Sequence, residues 1–208
     1  MKSQRDFDAL VIGTSAGGYD ALSILLPHFS AALPPAVLVV QHLHAHADES
    51  YLHGIEKGCP RRICFATDKQ PIRPENIYFA PPNYHLLVER DWTCALSIDP
   101  KVNHARPSID VLFECAASIF GPRLIGVIMT GASRDGSAGL RLIREMGGVT
   151  VVQDPADAAV PYMPKAAIDA ADFVRPLAEI GPLVTKLSLA GNNHPGVKNK
   201  TPNQVDTY

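Results

Sequence analysis

Apolar residues along the chain come in short unbroken runs, separated by longer stretches in which they recur every three or four positions. Runs at 9–12, 36–40, 124–129 and 149–152, several of them rich in Val and Ile, suit strands buried on both faces of a parallel sheet. Shorter strands are expected at 61–65, 77–79 and 172–175. Between them, 19–29, 107–120, 137–146, 164–171 and 179–189 carry helical spacing; Ile109, Leu112, Phe113, Ala116 and Ile119 mark one apolar face, and Pro107 suits a first turn. A short helix over 47–57 is closed by Gly58-Cys59-Pro60. The runs 84–89 and 93–98 flank Arg90-Asp91-Trp92 and read as an antiparallel hairpin outside the main sheet. Alternating strands and helices predict an α/β fold, an open, doubly wound, mostly parallel sheet of Rossmann-like three-layer form, with right-handed crossovers. One domain over 1–190 is expected, and 191–208, rich in Asn, Lys, Pro and Thr, reads as a disordered tail.

Composition narrows the partners more than the fold. A formal net charge of −2 and a pI near 6.4 leave no basic stripe for a nucleic-acid backbone, so a small molecule or another protein is the expected substrate. Cys59, Cys64, Cys94 and Cys115 form no C-x-x-C pair and no disulfide framework. The first residues carry charges where a signal peptide needs its apolar segment, and no run is long enough to span a membrane. A cytoplasmic protein without membrane insertion is the expectation.

In such a sheet, ligands bind beyond the carboxyl ends of the strands. The first strand runs into Gly13-Thr14-Ser15-Ala16-Gly17, a G-x-S-x-G turn that can lift a serine hydroxyl above the sheet edge. His42 follows the second strand, and Asp135 lies in the loop after the strand at 124–129. Together they supply a nucleophile, a base and a carboxylate that orients the base, the roles of a Ser-His-Asp triad. Their order along the chain, Ser, His, Asp, is not that of the α/β-hydrolases. Taken singly, Ser15 also suits a helix cap, His42 a core histidine, and Asp135 an N-cap or turn residue.

Two other readings use the same segments. A glycine-rich strand-to-helix turn also serves phosphate binding, which would make this a non-catalytic nucleotide-binding or interaction module, although Ser15 replaces the second glycine of G-x-G-x-x-G. His44-x-His46-x-Asp48 is also spaced like a zinc site, with His85 and His104 as further candidates, and would suit a metal-dependent hydrolase. Glu49 stands where that signature expects another histidine.

Ile12-Gly-Thr-Ser-Ala-Gly-Gly18, Gln41-His42, Asn103-His-Ala-Arg-Pro-Ser-Ile-Asp-Val-Leu-Phe113, Met129-Thr-Gly131, Asp135-Gly-Ser-Ala-Gly139 and Met163-Pro164 occur in this order. With them the chain resembles the catalytic domain of CheB, the chemotaxis protein-glutamate methylesterase, over nearly everything but the tail. The resemblance implies a cytoplasmic serine hydrolase of signal transduction that removes methyl esters from glutamate side chains of methyl-accepting chemotaxis receptors and, in some members, deamidates glutamines. It places the nucleophile on Ser15, the base on His42, the orienting acid on Asp135, and an oxyanion hole on the backbone N–H groups of Ala16 and Ala132. No cofactor or metal is implied. The chain departs from the family pattern at Arg134, a candidate substrate contact beside the acid, at Tyr162 before Met-Pro, and in lacking a proline soon after Gln-His. The family's founding members carry an N-terminal receiver domain, whereas here the Ser15 strand starts within the first dozen residues; control by self-phosphorylation is not expected.

Overall fold

A computed structural model describes residues 6–30 and 33–190, so the expected tail lies outside the described residues. Seven strands form one parallel sheet in the order β3-β4-β2-β1-β7-β8-β9, where β1 is Ala9–Thr14, β2 Ala36–Gln41, β3 Arg62–Phe65, β4 Asn76–Phe79, β7 Leu124–Ile128, β8 Val149–Gln153 and β9 Phe173–Arg175. The expected hairpin is a separate antiparallel pair, β5 (His85–Val88) and β6 (Cys94–Ser97).

Successive strand residues point to opposite faces, and both faces here are covered. Ala9 and Val11 meet Leu112, Phe113 and Ala116 of α3 (Ile109–Phe120), Leu140 and Ile143 of α4 (Ser137–Glu145), Ala167 of α5 (Tyr162–Ala167), and the hairpin. Leu10 and Ile12 meet Leu22 and Leu25 of α1 (Gly18–Leu25), Leu52 and Ile55 of α2 (Glu49–Glu56), and Val184 of α6 (Leu177–Ala190). That is the expected three-layer arrangement. The hairpin lies on α3, with Trp92 edge-on to Phe120 at 5.3 Å between ring centres and the Cys115 thiol donating to the Val88 carbonyl at 3.0 Å.

One boundary that moves lies next to the chemistry. α3 begins at Ile109, two residues later than its expected start, because Ser108 is extended (φ −109°, ψ 139°) and turns its hydroxyl away to Asp135. From β1 the chain lays down β2, then the edge strand β3, then β4 between them, and returns to β1's other side for β7, β8 and β9. The strand order therefore reverses between β1 and β7, the point at whose carboxyl ends ligands bind in such sheets.

Candidate active site

Register brings the first two candidate residues together. Thr14 pairs with Gln41 at the ends of β1 and β2, so Ser15 and His42 leave the sheet at one level on neighbouring strands, and the His42 N–H donates to the Thr14 carbonyl at 3.1 Å. Across the switch point the Ser15 N–H donates to the Thr130 carbonyl at 3.0 Å. The turn after Ser15 passes through Gly17 at φ 77°, a left-handed conformation that L side chains avoid, before α1 starts. Ser15 is half-buried and lines, with His42, a cleft of about 1000 Å³ walled by Tyr19, Asp20, His44 and Tyr51.

The acid arrives from the far side of the sheet. Asp135 is fully buried, and its Oδ2 lies 2.9 Å from Nε2 of His42, whose side chain is 17% exposed. The same carboxylate accepts from the Ser108 hydroxyl (2.8 Å), the Asn103 amide (3.0 Å), and the Ile109 and Asp110 N–H groups (2.7 and 3.2 Å). Asp135 thus fills the N-terminus of α3, where free N–H groups and the helix dipole favour an anion. Burial pushes its pKa up, but the hydrogen bonds from His42, Asn103, Ile109 and Ser108 outweigh burial and hold it below the usual carboxylate range. An ionised Asp135 only accepts, so the shared proton sits on Nε2 and the neutral ring keeps its free lone pair on Nδ1. The ring nitrogen available as a base is Nδ1.

A second buried carboxylate adjoins the first. Asp110 accepts from the Gly139 N–H at 2.7 Å and from the Asn103 amide at 2.7 Å, the same nitrogen that serves Asp135. Its pKa is raised, first by burial, with the Asp135 charge adding to it against the Gly139 hydrogen bond. Two neighbouring acids are therefore driven apart, Asp135 towards the anion and Asp110 towards the protonated form.

A family profile for the CheB methylesterase matches residues 10–184. The chain belongs to the CheB methylesterase family. A Leptospira interrogans relative, provisionally named protein-glutamate methylesterase/protein-glutamine glutaminase, is 45% identical over 184 residues, covering 88% of this chain and 95% of its own length. Protein-glutamate methylesterase/protein-glutamine glutaminase 1 of Hahella chejuensis is 37% identical over 182 residues, covering 85% of this chain but 50% of the relative. Among solved structures, the Thermotoga maritima CheB methylesterase catalytic domain superposes with a TM-score of 0.83 at 28% identity, over 88% of this chain and 99% of that one.

Within this CheB fold the candidates fall into two groups. His42 and Asp135 are hydrogen-bonded, whereas Ser15 is not bonded to His42: its hydroxyl has no hydrogen-bond partner among the described residues. A serine hydroxyl turns freely about one bond, and catalytic contacts often tighten only with substrate bound. Ala16 and Ala132 are exposed, and their N–H groups also lack partners among the described residues. Arg134 is exposed and forms no ion pair there.

The zinc-like spacing comes apart in three dimensions. Asp48 caps α2 through the Ser50 N–H at 2.9 Å, and His85 is buried with Nδ1 accepting from the Ser108 N–H and Nε2 facing the Pro100 carbonyl. Among the described residues no group of His, Cys, Asp and Glu side chains is arranged to hold a metal. Ser108 and Asp110 were legible as the start of an amphipathic helix, but nothing in that pattern named the distant carboxylate that would occupy it.

Proposed function

We propose that this chain hydrolyses the γ-methyl esters of glutamate side chains on methyl-accepting chemotaxis receptors, and deamidates glutamines at the same site, with Ser15, His42 and Asp135 as its triad. The observation that carries this reading is the buried Asp135 bound to Nε2 of His42, which leaves a basic Nδ1 in the cleft that Ser15 also lines. Membership of the CheB family and the methylesterase/glutaminase names of its relatives agree with it. Among the described residues no helix is long and apolar enough to cross a membrane, and a cytoplasmic enzyme acting on the receptors' cytoplasmic helices fits that.

In this reading Nδ1 of His42 takes the Ser15 proton as Oγ attacks the ester carbonyl. The negative charge on the carbonyl oxygen is met by the Ala16 and Ala132 N–H groups, while Asp135 stabilises the imidazolium. Collapse expels the methoxy group, His42 protonates it to methanol, and water then attacks the acyl-serine to release glutamate and free Ser15. With a glutamine substrate the leaving group is ammonia. Arg134, exposed beside the acid, is a candidate contact for an acidic receptor surface.

Methanol release from methylated receptor tests the assignment. Ser15→Ala should lower it by about 10⁴-fold or more, as removal of a triad nucleophile does. Activity within tenfold of wild type would refute Ser15 as nucleophile.

A further inference from the structure

An N–H group can stabilise an oxyanion only if its peptide plane is held still, and in a trans peptide the carbonyl on the opposite side is the handle. The Ala16 N–H belongs to the Ser15–Ala16 peptide, whose carbonyl accepts from the side-chain amide of Gln41 at 2.8 Å and from the Gly18 N–H at 2.9 Å. The Ala132 N–H belongs to the Gly131–Ala132 peptide, whose carbonyl accepts from the Met163 N–H at 2.9 Å. Both candidate donors are thus anchored from behind and free in front, and a bonded carbonyl also polarises its own N–H. Two of the three anchors are backbone; the third is a side chain.

We propose that Gln41 is the positioning residue of the oxyanion-binding peptide: by holding the Ser15 carbonyl, its amide aims the Ala16 N–H at the oxygen on which negative charge develops. Gln41 is nearly fully buried, and its bonding is lopsided. The nitrogen donates twice, to Ser15 and to the His42 carbonyl at 3.0 Å, while Oε1 is buried without a hydrogen-bond partner. An orphaned buried acceptor is costly, so the side chain is present for its two donors. Those donors tie the peptide behind the nucleophile to the backbone of the base. Gly18 guards the arrangement, since a methyl group there would fall 1.9 Å from Oε1 of Gln41.

This inference rests on Ser15 being the nucleophile, so Ser15→Ala is run beside it. Gln41→Met removes both donors at similar length, and Gln41→Glu keeps the shape but sets carboxylate oxygens against two carbonyls. Each should lower kcat for methyl-ester hydrolysis by about tenfold to 100-fold, somewhat below the loss of a whole oxyanion donor, with KM within about twofold. Affinity for a boronic acid that forms a tetrahedral adduct on Ser15 should fall in the same proportion as kcat/KM. Gly18→Ala, whose methyl would fall 1.9 Å from Oε1 of Gln41 and 2.6 Å from the Thr14 hydroxyl, disturbs the same Ser15 peptide and should lower kcat as well. If Gln41→Met and Gln41→Glu do not fold, Gln41→Asn, whose shorter side chain draws the amide back from the Ser15 carbonyl, carries the test with the same readouts. Gln41 variants with wild-type kcat and boronate affinity beside an inactive Ser15→Ala, or a loss of activity that only tracks loss of folded protein by circular dichroism, would overturn the proposal. An active Ser15→Ala would overturn the proposed function with it.

Discussion

The two sides of the candidate site are built on opposite principles. On the β7 and α3 side, Asp135 is sealed from solvent and receives five hydrogen bonds before any substrate arrives. On the β1 side, the Ser15 hydroxyl and the Ala16 N–H have no hydrogen-bond partner among the described residues and face an open cleft. A buried carboxylate left to itself takes up a proton, so the acid wall needs its dense set of donors to keep Asp135 charged and His42 in one tautomer. In the proposed mechanism the Ala16 N–H binds an oxyanion that exists only during the reaction, and such a donor gains nothing from a resting partner. In the proposed reading, fixed electrostatics behind and unspent donors in front together form a preorganised site.

Asp135→Asn is the strongest way to break this contrast. With the charge gone the imidazole loses both its tautomer and its stabilised cation, and kcat should fall by about 10⁴-fold while KM changes little. A loss below tenfold would mean that the acid wall does not organise the base.

The two adjacent carboxylates sharpen the contrast through stability. Asp135, with its native pKa lowered, contributes stability that is complete above the ordinary carboxylate value of about 4 and is lost as pH falls through its lower native pKa. Asp110, with its native pKa raised, contributes stability that is complete below about 4 and is lost as pH rises through its native pKa. Thermal melts should therefore show the gap between wild type and Asp135→Asn narrowing below about pH 4, whereas the gap between wild type and Asp110→Asn widens as pH falls from 7 towards 4. Parallel trends in the two variants would show that the acids are not split.

The smallest effect is expected at Arg134, whose charge acts through solvent. Arg134→Ala should reduce kcat/KM on receptor by about twofold to threefold at low ionic strength and by nothing measurable at high salt. A loss independent of salt would point to direct contact with the substrate.

Much of this was readable from residues 6–190. Continuous apolar runs on β1, β2 and β7 announced buried parallel strands, and strand ends followed by Ser15, His42 and the Asp135 loop told where to look. Local chemistry is enough for that, because strand burial and turn geometry depend on neighbours in sequence. The spacing of His44, His46 and Asp48 misleads for the same reason: it records the chain's order, while Asp48 spends its carboxylate on capping α2.

What the sequence by itself determined is which groups the chain owns and at which end of which strand they emerge. Only the tertiary structure decided their partners: that Asp135 occupies the N-terminus of α3, not that of α4, which starts just after it; that Asn103 joins two buried carboxylates; and that Gln41 reaches back to the Ser15 carbonyl. These contacts join loop ends, a helix start and a strand end, between residues 7 to 32 positions apart. No periodicity encodes such pairs, because the free energy that selects them is the cost of leaving a buried charge or donor unsatisfied, and that cost exists only once the sheet has closed over them.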